Sequence, residues 1–111
     1  RLYGIDCPEK KQAYGDRAKE LTEAVVFGKI VRVEVMGHDL YGRTLGIVYG
    51  PGGPALNREL LMNGLAWVYK KYCKRPECVR WRNDETAARS ARQGLWSDGS
   101  PTPPWVYRKT R

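Results

Sequence analysis

Two carboxylates lie close together near the start of the sequence, in the segment Asp6-Cys7-Pro8-Glu9. Pro8 fixes its own backbone φ and disfavours a helical conformation for the residue before it, so the two carboxylates are held on a stiff turn. Because calcium prefers carboxylate and carbonyl oxygens, Asp6 and the backbone carbonyl of Cys7 are candidate metal ligands. Glu9 is then placed to activate a water molecule as a general base. Acidic residues at this position can equally cap a helix start and compensate its dipole.

Two arginines form a second candidate group. Arg1 precedes the carboxylates, and Arg43 follows a glycine at the entry to a predicted strand. Two guanidiniums beside a carboxylate-bound cation form the clamp that a pentacoordinate phosphate needs. A solvated arginine in a hairpin turn is the alternative interpretation of Arg43.

The elements that must position these residues follow from the hydrophobic pattern. Residues 1–6 alternate like the end of a strand, and the following segment carries apolar residues at helical spacing up to Gly28. Residues 30–49 predict a hairpin whose first strand buries Val31, Val33 and Val35. Asn57 is a plausible N-cap for a short helix. Residues 65–69 predict an extended stretch, and residues 77–93 predict a last helix.

The charge is concentrated in the second half of the chain. The 111 residues carry a net charge of +8, and nearly all of it lies in residues 56–111, among Trp and Tyr side chains. This pattern fits a polyanion, because phosphates attract basic residues and exposed bases stack on aromatic rings, although it also fits a solubilising surface. The basic stretch comprises Lys70, Lys71, Lys74, Arg75, Arg80 and Arg82. No apolar run approaches the ~20 residues of a membrane span.

The cysteines are three in number, at positions 7, 73 and 78. Cys73 and Cys78 are close enough in sequence to form a disulfide in an oxidising compartment, which would leave Cys7 free. A zinc half-site is the alternative, but it needs two further ligands, and His38 is the single histidine of the chain.

Several motifs occur in a recognisable order: RLYGIDCPE, a helix, DLYGRTLGIVY, LNRELLMNGLAWVY and a helix that ends in GLW. Together they resemble the thermonuclease or staphylococcal nuclease family over about residues 1–96. The closing PPWVYRK resembles the C-terminal end of bacterial members. The resemblance implies an α+β fold, an OB-fold-type β-barrel of five strands with about three helices. Residues 1–96 would form this nuclease-like domain, and residues 97–111 a Pro-rich extended tail.

The resemblance also implies an activity and roles for single residues. The activity is a calcium-dependent phosphodiesterase that acts as an endonuclease on DNA and RNA, with single strands preferred. Arg1 and Arg43 match the arginines that stabilise the phosphate, Asp6 and the Cys7 carbonyl match calcium ligands, and Glu9 matches the residue that activates water. Tyr41 resembles a tyrosine that flanks the nucleotide. Tyr69 or Tyr72 could lie near the base, and Lys70 and Lys71 would hold the strand.

The chain departs from this family at its beginning. Members of the family have about three strands before the motif that starts here at Arg1, and those strands supply a second calcium-ligating aspartate. We therefore expect a longer parent protein, or else self-pairing with a second copy, and expect residues 1–111 alone to be weak or inactive. An oxidised cysteine pair would suit a secreted or periplasmic protein, and a cytoplasmic location is the alternative. A non-catalytic module that binds nucleic acid or protein on the same fold, and a structural protein that docks on acidic surfaces, are the alternatives.

Overall fold

A computed structural model describes residues 1–110, which combine helices and short strands as predicted for an α+β domain. Arg111, the last residue of the predicted tail, lies outside the described residues. The elements are β1 (Ile5–Asp6), α1 (Gly15–Val26), β2 (Arg32–His38), β3 (Thr44–Tyr49), α2 (Leu56–Met62), β4 (Trp67–Val68), α3 (Glu77–Ser90) and α4 (Pro104–Thr110). A 3-10 turn over Gly94–Ser97 follows α3. Within residues 1–110 no helix is long and apolar enough to cross a membrane.

The strands form two antiparallel pairs. β1 pairs with β4, and β2 pairs with β3 as the predicted hairpin. A bridge between Leu2 and Gly46 joins the two pairs, and the backbone N–H of Tyr3 donates to the Gly46 carbonyl at 2.8 Å. The segment that leads into β1 is therefore fixed against β3, although the strands of the described part of the chain do not close into one barrel.

The predicted burial of one face of β2 is wrong. Val33 and Val35 are 48% and 58% exposed. Alternation in the sequence identified the strand, but alternation cannot show whether another layer packs on it. Among the described residues, β2 makes its extensive contacts with β3 alone.

Asn57 is not the N-cap of α2, because that position falls on Ala55, whose side chain makes no capping hydrogen bond. The Asn57 side chain is instead fully buried. Its amide nitrogen donates to the carbonyls of Tyr3 and Gly46 at 3.0 and 3.3 Å, and its oxygen accepts from the Val48 N–H at 3.1 Å. A buried polar side chain is stable only when it is hydrogen-bonded, and here those bonds tie α2 to β3 and to the chain before β1.

Helix α3 packs on α2 and carries a buried carboxylate toward the strands. Arg58 of α2 pairs with Asp84 of α3, with Nε and Oδ2 at 2.8 Å. Glu85 is 6% exposed and accepts a hydrogen bond from the backbone N–H of Val68 at 2.6 Å. Because Val68 belongs to β4, this carboxylate fixes the strand that pairs with β1.

A disulfide joins Cys73 to Cys78 and confirms the predicted pairing, with Cys7 left as a free thiol. Both disulfide cysteines are buried, and the sulfur of Cys73 lies against Gly4. A side chain at residue 4 would meet that sulfur, and the φ of +73° there is one that L residues rarely adopt. The disulfide therefore fixes the loop between β4 and α3 against the start of the chain.

We predict that replacing both Cys73 and Cys78 by Ala lowers the free energy of unfolding by about 2 kcal/mol, because the bridge removes conformational entropy from the unfolded chain. Urea unfolding of the oxidised protein and of the double variant measures the difference. Cys7→Ala is the control, since Cys7 makes no disulfide. Equal stability of the double variant and the parent would contradict the prediction.

The C-terminal segment is not extended throughout, because Pro104–Thr110 forms α4, a helix beyond the three that were predicted. The prolines before it favoured an extended tail. Proline at the first position of a helix is nevertheless well tolerated, since its missing N–H would have no partner there. Pro104 occupies this position and is fully buried.

Candidate active site

Asp6 is a buried carboxylate at the end of β1. It is 6% exposed, and its position follows from the pairing of Asp6 with Trp67 in β4. The neighbouring residue of β4, Val68, is in turn bonded to Glu85 of α3. The carboxylate is therefore held by a strand pair that the helical layer supports.

Glu9 is held by the turn between β1 and α1. Its backbone N–H donates to Oε1 of Gln12 at 3.0 Å, and its carbonyl accepts from the Gln12 N–H at 2.8 Å. The first residue of α1, Gly15, packs so closely that a Cβ there would overlap the Glu9 carbonyl oxygen. Pro8 is buried within the same turn. The stiff turn predicted from the sequence is therefore also fixed by packing against α1.

Arg108 of α4 brings the two carboxylates together. Its Nη1 lies 3.2 Å from Oδ1 of Asp6 and 2.8 Å from Oε2 of Glu9, and its Nη2 lies 2.6 Å from Oδ2 of Asp6. The hydrogen bond with Asp6 raises the pKa of the Arg108 guanidinium above its ordinary value, with Glu9 acting in the same direction. Asp6 and Glu9 thus both pair with the Arg108 guanidinium.

Arg1 and Arg43 converge on a single negative charge, the carboxylate of Asp39. Arg43 Nε lies 2.6 Å from Oδ2 of Asp39, and Arg1 Nε lies 4.0 Å from the same oxygen. Burial acts to raise the pKa of Asp39, but hydrogen bonds from the backbone N–H groups of Arg43 and Tyr41 and from the Arg43 side chain lower it below its usual value. The two predicted phosphate-binding arginines can therefore share one anion.

The carboxylate pair, Asp6 and Glu9, and the arginine pair, Arg1 and Arg43, are linked by the segment that leads into β1. Arg1 and Asp6 lie on the same short segment, which is fixed to β3 through the Leu2–Gly46 bridge. Arg43 stands immediately before β3. The structure thus brings Asp6 together with Glu9 and Arg1 together with Arg43, at the two ends of one backbone segment.

Cys7 lies between the two carboxylates as a protonated thiol. Burial, with the negative charge of Asp6, raises the pKa of this thiol to about 12, while the charge of Arg1 acts in the opposite direction. At neutral pH the side chain is therefore not a thiolate nucleophile. The backbone carbonyl of Cys7 is the group predicted to be a calcium ligand.

The aromatic candidates differ in their surroundings. Tyr41 is 83% exposed, and its ring lies 5.3 Å from the guanidinium carbon of Arg43. Tyr69 and Tyr72 meet edge to face, with centroids 4.8 Å apart. Tyr69 also stacks on Trp105 of α4, with centroids 4.9 Å apart and an interplanar angle of 14°.

The basic stretch is exposed along its whole length. It includes Lys70 and Lys71, the two residues predicted to hold the nucleic acid, and it runs from the disulfide loop onto α3. Its exposed members are Lys70, Lys71, Lys74, Arg75, Arg80 and Arg82.

Sequence reasoning missed Trp105 and Arg108. Both lie in the closing PPWVYRK, which indicated family resemblance but no role in the site. Their separation by three residues is a signal that could have been used, because residues three apart share a face of a helix. That signal needs a helix, and the segment was predicted to be extended.

Comparison with known proteins identifies the family. The family model described as staphylococcal nuclease homologue matches residues 1–98, almost the whole chain. The chain belongs to the staphylococcal nuclease homologue family. The resemblance is thereby confirmed. The mixed helix-and-strand domain is consistent with the OB-fold type that the resemblance implies, although its described strands do not close into a barrel.

Relatives in this family come from bacteria and plants. An uncharacterized endonuclease of Escherichia coli is 44% identical over 108 residues, which cover 97% of this chain and 69% of the relative. The micrococcal nuclease of Shigella flexneri is 39% identical over 117 residues, covering 98% of this chain and 67% of the relative. The staphylococcal-like nuclease CAN1 of Arabidopsis thaliana is 41% identical over 111 residues, covering all of this chain and 33% of the relative.

Proposed function

We propose that this chain is a calcium-dependent phosphodiesterase that hydrolyses DNA and RNA. The class of enzyme, a nuclease, agrees with the family and with the names of its relatives. One observation supports the finer proposal above all others. Asp6 and Glu9 share the cation of Arg108, whereas Arg1, from the same segment, shares the anion of Asp39 with Arg43, which stands before β3. A phosphodiester bound beside a metal ion needs both kinds of site.

The oxygen atoms that these residues present are the type of ligand that calcium prefers. Asp6 and Glu9 present carboxylate oxygens to one positive charge, and such hard oxygen donors are what calcium prefers. No group of three His, Cys, Asp or Glu side chains in residues 1–110 is arranged to hold a metal ion. Asp6 and the Cys7 carbonyl would therefore supply part of a calcium shell, with water and phosphate oxygens as further ligands.

In the proposed mechanism each residue has one task. Water attacks phosphorus and Glu9 accepts its proton. The bond from phosphorus to the leaving oxygen of the nucleic acid breaks, and that oxygen takes a proton from solvent. Arg1 and Arg43 neutralise the charge that builds up on the phosphate oxygens. Arg43 now gives a guanidinium hydrogen bond to Asp39, and Arg1 forms an ion pair with the same carboxylate. A calcium ion held at Asp6 would supply Lewis-acid polarisation of a phosphate oxygen.

The rest of the nucleic acid would lie along the exposed basic stretch. Tyr69 and Tyr72 stand at the start of that stretch, so that a base of a single strand could stack where the phosphates meet Lys70 and Lys71. An oxidising compartment, secreted or periplasmic, is part of this proposal, and the Cys73–Cys78 disulfide supports it.

The proposal predicts weak but measurable cleavage of single-stranded DNA and of RNA by residues 1–111 when calcium is present. Chelation by EDTA should abolish cleavage, and excess calcium should restore it, because Asp6 would hold the ion. Gel electrophoresis of a fluorescently labelled oligonucleotide measures the reaction. An Asp6→Asn preparation, purified identically, controls for contaminating nucleases.

The alternatives predict a different result in the same assay. A non-catalytic module should retard the oligonucleotide without cutting it, with or without calcium. Binding without turnover, over a range of calcium concentrations at which the protein is folded, would contradict the proposed activity.

A further inference from the structure

Helix α4 occupies both places that the proposed function needs. Trp105 and Arg108 project from one face of this helix. Trp105 stacks on Tyr69, the proposed position of a base, and Arg108 bonds to Asp6 and Glu9, the proposed position of the cation. These two contacts are independent. Trp105 makes a ring contact with Tyr69, just after β4, whereas Arg108 makes ion pairs with Asp6 of β1 and with Glu9 in the turn that follows it.

We propose that α4 is an intramolecular inhibitor, which must leave the site before a calcium ion and a nucleic acid strand can bind. The inference rests on the proposed function and adds to it the regulation of the same site. In the state described, Arg108 replaces the calcium ion and Trp105 replaces a base.

The electrostatic argument concerns Arg108. Both oxygens of the Asp6 carboxylate accept hydrogen bonds from this guanidinium, and the carboxylate is almost fully buried. A buried carboxylate requires a cation, and the guanidinium supplies it. A divalent cation brought to the same oxygens would be repelled by the guanidinium charge at close range. Calcium therefore binds the form in which Arg108 has left and shifts the population toward that form.

The stacking argument concerns Trp105. One face of Tyr69 is covered by Trp105, and Tyr72 meets Tyr69 edge to face. Trp105 also contacts the ring of Trp67, at a centroid distance of 5.5 Å. A base can stack on the covered face of Tyr69 only after Trp105 has moved.

The contacts of the residues before α4 and the short length of the helix allow α4 to leave without unfolding the domain. Gln12 donates to the Thr102 carbonyl at 2.6 Å, and the hydroxyls of Tyr14 and Ser97 lie 3.0 Å apart, so the chain before α4 is fixed to the residues that lead into α1. Helix α4 has seven residues, and helices of this length are marginal without tertiary contacts. Loss of the Arg108 and Trp105 contacts would therefore release the helix itself.

The first test measures calcium binding to the full chain by isothermal titration calorimetry, without nucleic acid. Arg108→Gln should bind calcium on the order of tenfold more tightly than the parent, a size typical of coupling between two sites. Lys109→Gln is the matched control, since Lys109 loses the same charge from an exposed position on the same helix. It should change the dissociation constant less than about twofold. Unchanged or weaker calcium binding by Arg108→Gln would overturn the inference and would make Arg108 a residue that positions the carboxylates.

The second test uses the parent protein and so does not depend on how a variant folds. Hydrogen exchange followed by mass spectrometry should show that calcium speeds exchange of the amides in residues 105–110 while α1 and α3 stay protected. Protection of α4 that is unchanged at saturating calcium would overturn the inference.

Failure of the inference and failure of the proposed function can be told apart. If the parent cleaves DNA with calcium while Arg108→Gln gains no calcium affinity, the proposed function stands and inhibition by α4 is wrong. If neither protein binds calcium, both the inference and the calcium dependence are wrong.

Discussion

Glu9→Gln is expected to lower the turnover number for hydrolysis of single-stranded DNA by at least about 100-fold, the lower end of the range for a general base. Glutamine keeps the size and hydrogen-bonding shape of the side chain but cannot accept the proton of the attacking water. The turn should persist, because Pro8 is buried, Gln12 bonds to the backbone of residue 9, and Gly15 packs against its carbonyl. Initial rates over a range of substrate concentrations separate the turnover number from KM, which should change much less.

The matched control for this prediction is Glu20→Gln. Glu20 is an exposed residue of α1 and loses the same charge outside the site. Circular dichroism and thermal unfolding verify that both variants are folded. Turnover by a folded Glu9→Gln variant within about threefold of the parent would be inconsistent with a general base at this position.

Arg43→Ala is expected to lower kcat/KM by about 100-fold, the size found when one donor to a transition-state oxyanion is removed. Arg43 stands at the entry to β3 and directs its guanidinium at Asp39 together with Arg1. Its loss would leave one of the two positive charges that we assign to the phosphate. The defect should lie mainly in kcat, because charge on the phosphate oxygens increases in the transition state.

Arg32→Ala provides the comparison for Arg43→Ala. Arg32 belongs to β2, is exposed, and lies over the ring of Tyr49 at 4.1 Å, so its removal tests the loss of an arginine from the same hairpin. We expect less than a twofold change in kcat/KM for this control, since surface substitutions away from the site have small effects. Equal losses in the two variants would show that the effect of Arg43 comes from net charge alone.

Features that depend on nearby residues were predicted from the sequence. The spacing of Cys73 and Cys78 predicted their disulfide, and the pattern of residues 30–49 predicted the β2–β3 hairpin. The order of short motifs predicted the family. In each case the chemical signal lies within a few residues, and tertiary context did not override it.

Features that depend on distant partners were not predicted. Asn57 has the chemistry of an N-cap, but its partners come from two strand segments, one of them 54 residues away. Burial of Val33 would need a layer that the pattern of one strand cannot reveal. Arg108 joins Asp6 across 102 positions of sequence, and nothing within a few residues of either side chain indicates that pairing.

The buried side chain of Asn57 has a consequence for the order of folding. It connects residues separated by 9, 11 and 54 positions, so its three hydrogen bonds form only when the β2–β3 hairpin, α2 and the beginning of the chain have already met. Contacts of such long range form late, because the entropy of closing the loop must be lost first. We therefore expect the segment around Tyr3, which leads into Asp6, to acquire its native position late in folding, after the hairpin and α2 have met.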